Sequence, residues 1–200
     1  MPTLRPFRDY DEKDVLNFFA YSGNVIDSNY LILANKGTIC TITGIGFTPS
    51  VNEPIQMLGN FGSFSVNNFV AQRYGATAFV TAANPGTIPV GMTLFDVREL
   101  DENQLPLKYN PRKAAEMEVV ISGQVVPLVT RGTFMYSGIR VSGSVPVTAG
   151  APAYLGYNGE IATSGSTVIG KFLGTTGAYS TGLFTASDQS AIALVWLNLQ

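Results

Sequence analysis

Residues 144–173 read Ser144-Val-Pro-Val-Thr-Ala-Gly-Ala-Pro-Ala-Tyr-Leu-Gly-Tyr-Asn-Gly-Glu-Ile-Ala-Thr-Ser-Gly-Ser-Thr-Val-Ile-Gly-Lys-Phe-Leu173, and the turns in this stretch decide the fold. Asn158-Gly159 is a hairpin signal, because a tight type I′ turn needs positive φ at both central residues and these two types tolerate it best. Tyr154, Leu155 and Tyr157 precede the turn and Ile161 follows it. Residues 167–173 supply one more strand. The chain then closes on Ala191-Ile-Ala-Leu-Val-Trp-Leu-Asn-Leu199, a β-rich run too apolar for a solvated tail, which predicts a C-terminal strand inside a sheet. Nothing in the stretch has the form of a catalytic, metal or phosphate motif.

Working outward, residues 119–130 open the same β-block, and Pro127 within them predicts an edge or bulge position, since proline cannot donate to a ladder. Residues 132–136 continue it. Upstream, residues 101–118 hold the best helix candidate: Asn110 suits a cap, Pro111 a first turn, and Ala114, Ala115 and Met117 continue the helix for about two turns. Glu116 and Glu118 with Arg112 or Lys113 read as a solvated face, because carboxylates two apart point to different sides of a helix. Residues 25–80 are again β, with strands at 30–34, 38–43, 61–66 and 76–80, a turn at Asn35-Lys36-Gly37 and a loop at 44–54. The Gly44-x-Gly46 pair lacks the third glycine and following helix of a phosphate loop. A tight connection at 81–89 leads to a strand at 90–97.

The first 23 residues read as an N-terminal arm. Pro2 and Pro6 favour an extended path, and Leu4, Phe7 and Tyr10 alternate with Arg5, Arg8 and acids; the alternative is a frayed terminus. Asp9 with Glu12 has the spacing of a helix capping box. Residues 15–21, rich in β-branched and aromatic types, favour a strand instead. The acids at 9, 11, 12 and 14 lack the glycine and the bidentate glutamate of a calcium loop.

Charge defines the outline and excludes several functions. Seven of the 26 charged residues lie between Arg5 and Asp14 and ten between Asp96 and Glu118, whereas residues 141–200 contain three. Polar connectors thus alternate with nearly neutral β-blocks. Charged residues make up 13% of the chain against about 25% in an average domain, a deficit that suits a surface lying against something else. The net charge of −2 offers no basic excess for nucleic acid. No apolar run reaches the roughly 20 residues of a membrane helix, and the first residues lack a secretory signal. Cys40, the single cysteine, sits among threonines and reads as a buried, inert thiol. The chain has no histidine, which removes histidine-based triads and ligands. A carboxylate pair among Asp96, Glu99 and Asp101 is the enzymatic alternative, in a stretch without a recognisable scaffold.

The second block resembles the small β-barrel of tailed-phage capsid decoration, or cement, proteins. The matching pattern is Thr-Arg-Gly-Thr-Phe at 130–134, Val-Pro-Val-Thr-Ala-Gly-Ala-Pro-Ala-Tyr at 145–154, Asn158-Gly159, the strand at 167–173 and a terminal Ala-Leu-Val-Trp-Leu. The resemblance implies a noncatalytic virion protein made in the host cytoplasm and bound to the outer capsid surface. Its partner would be the major capsid protein. It also implies a homo-oligomer, a trimer ahead of a dimer, with no cofactor, no metal, no nucleic acid and no membrane.

The expected architecture is all-β, with barrel or sandwich lobes, an extended arm and one short helix. Its divisions are an arm at 1–23, a first β-block at 24–100, a charged linker with the helix at 101–118, and a decoration-protein-like barrel at 119–200. The expected contact residues are Leu4, Arg5, Phe7, Arg8 and Tyr10, with the arginines meeting capsid carboxylates and the aromatics anchoring. The competing function is a tail, baseplate or head-fibre component presenting a β-rich receptor- or glycan-binding surface, with Tyr136, Tyr154, Tyr157 and Trp196 available for stacking. Core packing is the preferred role for most of these four.

Overall fold

The computed structural model describes residues 4–43, 78–122, 124–137, 141–142, 148–175 and 192–199. The protein is mostly β, with one short α-helix. Its strands are β1 (Leu4–Asp9), β2 (Val15–Tyr21), β3 (Ile32–Ala34), β4 (Ile39–Thr43), β5 (Ala78–Ala82), β6 (Pro89–Thr93), β7 (Asp96–Arg98) and β8 (Val119–Ile121). They continue as β9 (Val125–Val129), β10 (Arg131–Ser137), β11 (Val141–Ser142), β12 (Pro152–Leu155), β13 (Ile161–Ala162), β14 (Val168–Thr175) and β15 (Ile192–Asn198). The helix α1 (Pro111–Glu116) lies between β7 and β8. Strands β2-β5-β4-β6-β9 close into a barrel, β1-β10-β15-β14-β12-β13-β11 form a seven-stranded sheet, and β3-β7-β8 form a small third sheet.

Local chemistry accounts for most of these elements. Val15–Tyr21 is a strand, and the helical alternative shrinks to one 3₁₀ turn at Glu12–Asp14, capped by the Asp11 carboxylate accepting from the Lys13 N–H at 3.1 Å. Asn110 caps α1 through its side-chain oxygen, 3.3 Å from the Lys113 N–H, and Pro111 fills the first turn. Pro127 lies inside β9 opposite a bulge in β2: between the Leu16–Leu128 and Phe19–Val126 pairs, β2 advances three residues and β9 two. Strand β15 lies between β10 and β14, so the C-terminal run is interior to its sheet. Cys40 is fully buried in the barrel, and burial pushes its thiol pKa up.

Two strand expectations are trimmed. The strand expected at 30–34 starts at Ile32, because Leu31 takes φ 45° in a turn. The strand expected at 90–97 breaks at Leu94-Phe95 into β6 of the barrel and β7 of the small sheet. The strand at 61–66 and the loop at 44–54 lie outside the described residues.

Strand pairings run across the divisions expected from charge. Strand β1, from the expected arm, joins the seven-stranded sheet on β10, and β9, from the expected second block, closes the barrel between β2 and β6. The two crossings occur together: the Thr130 N–H and hydroxyl both reach the Asp14 carbonyl, at 2.8 and 3.1 Å. The pair β1–β10 in the sheet thus continues as the pair β2–β9 in the barrel. One cluster of buried side chains spans both layers, with Ile39, Met92, Leu94 and Val129 against Phe134, Tyr136, Leu155, Phe172 and Val195. A second cluster fills the barrel around Leu33, Cys40, Val80 and Leu128, and a third seats α1 through Ala114 on Leu107 and Ile121.

Candidate functional site

Residues 4–9 form a strand, and pairing holds it to its own molecule. Leu4 stands opposite Tyr136, Arg8 opposite Phe134 and Asp9 opposite Thr133. Between the first two pairs β1 advances four residues and β10 two, so the ladder is interrupted around Pro6, which has no N–H to give. Leu4, Arg5 and Phe7 hold places in this strand. Arg8 donates to the Leu94 carbonyl at 3.3 Å, and Tyr10 stacks on Phe134 with ring centroids 6.1 Å apart. The segment expected as an extended interaction arm is a strand paired at the edge of its own sheet. Arg8 and Tyr10 clamp it to the core. The outer edge of β1 is unpaired among the described residues.

Two of the three acids weighed for a catalytic pair, Asp96 and Asp101, have structural partners. Asp96 accepts from the Lys36 N–H at 2.7 Å and pairs with Arg98 at 2.8 Å. Asp101 accepts from the Asn103 and Leu105 N–H groups, both at 2.8 Å, and lies 3.5 Å from Lys113. The Leu105 N–H foremost, then the Asn103 N–H and Lys113, holds the Asp101 carboxyl below its ordinary range. Lys113 also meets Glu102 at 2.6 Å. On the exposed face of α1, Arg112 pairs with Glu116 at 3.0 Å. Among the described residues no group of three or more Asp, Glu or Cys side chains is placed to hold a metal ion.

The four aromatics divide by strand parity. Tyr136 is fully buried, as the core reading has it, whereas Tyr157 is 72% exposed. Tyr154 and Trp196 are half-buried. Trp196 alternates with the buried Val195 and Leu197, so it faces away from the core, and the Arg131 guanidinium stands over its ring at 6.0 Å. Core packing thus holds for Tyr136 and fails for Trp196.

The site that sequence reasoning missed lies where three connections meet. Asn158 and Gly159 have φ of 54° and 72°, as the type I′ reading requires. The hairpin tip they form docks on the barrel: the Gly159 N–H donates to the Ala83 carbonyl at 2.7 Å, and the Asn158 N–H to the Asn84 side chain at 3.0 Å. Facing the tip are the β2–β3 connection and the turn at Asn35, where the Ile32 N–H bonds the Asp27 carbonyl at 3.1 Å and the Asp27 carboxylate takes the Asn29 N–H at 2.9 Å. Between them is a cavity of about 590 Å³, whose wall includes Tyr21, Asp27, Asn35, Asn158 and Glu160. Burial foremost, with Cys40 nearby, pushes the Tyr21 hydroxyl up to about 12. The Asn-Gly pair was the one signal in the sequence; the facing wall is more than 120 residues away along the chain, beyond any local pattern.

No protein-family model matches the chain, and neither a curated protein nor a solved structure matches it significantly.

Proposed function

We propose that this chain is a non-enzymatic structural protein of a virion that binds the outer surface of a capsid and cements neighbouring major capsid subunits. The observation that carries the reading is the exposure of large apolar side chains on the hairpin tip and on the connections around it. Ile88 is 82% exposed at the end of the turn that receives the hairpin tip, Tyr157 is 72% exposed on the tip, and Ile26 is 58% exposed across the cavity. Large apolar groups held in water by a hydrogen-bonded scaffold mark a surface for a protein partner. The low charge of the chain and the structural commitment of Asp96 and Asp101 support the same reading. A trimer is the expected oligomer, with a dimer as the alternative. Several weak contacts per oligomer would then act together through their high effective concentration.

The test is co-sedimentation of the purified chain with undecorated shells of its cognate capsid protein, with light scattering giving the oligomeric mass. Saturation at a fixed ratio, lost in an Ile88→Asp, Tyr157→Asp double variant of unchanged circular dichroism, is the expected result. Folded protein that fails to bind shells, or a double variant that binds as well as the parent, overturns the proposal.

A further inference from the structure

The cavity under the hairpin tip carries a more specific chemistry than an apolar contact surface requires. Its volume, about 590 Å³, lies within the roughly 300–1,000 Å³ of small-molecule sites. Asp27, Glu160, Asn35 and Asn158 line it, and no lysine or arginine is among the described residues that do so. Phosphates and carboxylates would meet negative charge there. Asn35 is 8% exposed, and the hydrogen bonds it accepts, from the Thr38 hydroxyl at 2.7 Å, the Thr93 hydroxyl at 2.9 Å and the Thr38 N–H at 3.2 Å, all run to its main-chain oxygen. Its side-chain amide offers both a donor and an acceptor.

A carboxylate only accepts and an amide does both, whereas each alcohol hydroxyl donates once and accepts. A wall carrying both groups therefore matches a ring of hydroxyls, while a simple cation would use the carboxylate and amide oxygens and leave the amide N–H donors idle. Tyr21 supplies an aromatic wall, and Tyr157 stands exposed beside Asn158 at the tip. The main chain of the walls is also held before any ligand arrives: the Asp27 carboxylate accepts from the Asn29 N–H, Asp27 bridges Ile32, and the Asn158 N–H donates to the Asn84 side chain. This lowers the ordering cost met on binding.

We infer that this cavity is a binding site for a neutral polyhydroxylated ligand, a sugar ring, held by Asp27, Asn35 and Asn158. The inference does not depend on the capsid reading.

Saturation-transfer NMR and calorimetry on the full chain test it, with the methyl glycosides of glucose, galactose, mannose and N-acetylglucosamine as probes. Propylammonium and inorganic phosphate are the cationic and anionic comparisons. At least one glycoside should bind saturably, and Asp27→Asn or Asn158→Gly should weaken it roughly tenfold, as loss of one hydrogen bond to a charged or amide group does. Both variants are chosen to fold: the asparagine keeps an acceptor for the Asn29 N–H, and the glycine keeps the positive φ. Thermal midpoints near the parent's verify this. The assignment is overturned if no glycoside saturates, if neither variant weakens binding, or if only propylammonium or phosphate binds.

Discussion

At the scale of single residues, backbone conformation and close approach decide the most sensitive positions. A Cβ on Gly159 would collide with the Ile39 carbonyl and stand 2.6 Å from the Thr38 methyl, and φ there is 72°. Neither the backbone of β4 nor the tip can retreat without breaking the bonds to Ala83 and Asn84. Gly159→Ala should therefore cost about 2–4 kcal/mol, combining overpacking with left-handed strain, read as a lower urea midpoint. Glu118 presents the opposite case. It follows α1 with φ 52° and is exposed, in the position where helices prefer glycine. Glu118→Gly should stabilise the protein by about 0.5–1 kcal/mol by relieving that strain, and an unchanged or lower midpoint would contradict it.

At the scale of elements, residues 101–118 behave as a unit organised by Asp101. Its carboxylate gathers two backbone N–H groups and Lys113, which brings the turn before α1 against the helix itself. The folded-state pKa is depressed, so the stabilisation is present above the unfolded value and is lost as pH falls through the folded one. Stability should thus decline below about pH 4. Asp101→Asn should lower stability at neutral pH and flatten the acid limb; a variant with the parent's acid slope would exclude this role. The strands at the two crossings are coupled in a similar way. Asp14 and Thr130 join at the point where both chains pass from sheet to barrel, and Tyr10 and Arg8 hold β1 from the other side. Strand β1 is consequently part of the folded body.

At the scale of the whole molecule, barrel and sheet share a core, and each borrows a strand from the other half of the chain. Cutting the sequence at 118/119 would leave the barrel without β9 and the sheet without β1. Fragments 1–118 and 119–200 should each be largely unfolded by circular dichroism when expressed separately, and a native-like 119–200 fragment would refute the shared-core account. In the intact chain, Trp196 fluorescence, which reports on the sheet, and Cys40 labelling, which reports on the barrel, should follow one cooperative transition.

What the sequence by itself determined is the local grammar. The β-branched and aromatic content of residues 15–21 and the apolar run at 191–199 specify strands; Asn158-Gly159 specifies the turn, Asn110-Pro111 the helix start, and Pro127 a bulge. Each depends on the conformational limits of residues within a few positions of one another, so each is readable without the fold. The absence of histidine likewise removes whole classes of chemistry from composition alone. Only the tertiary structure decided the partners. An alternating segment declares that it has a buried face and not what covers it, so the placement of β1 in the sheet, of β9 in the barrel, and of Trp196 on the outer face was hidden. The cavity was hidden for the same reason: Asp27 and Asn35 on one side and Asn158 and Glu160 on the other become neighbours only when the hairpin tip seats on the barrel.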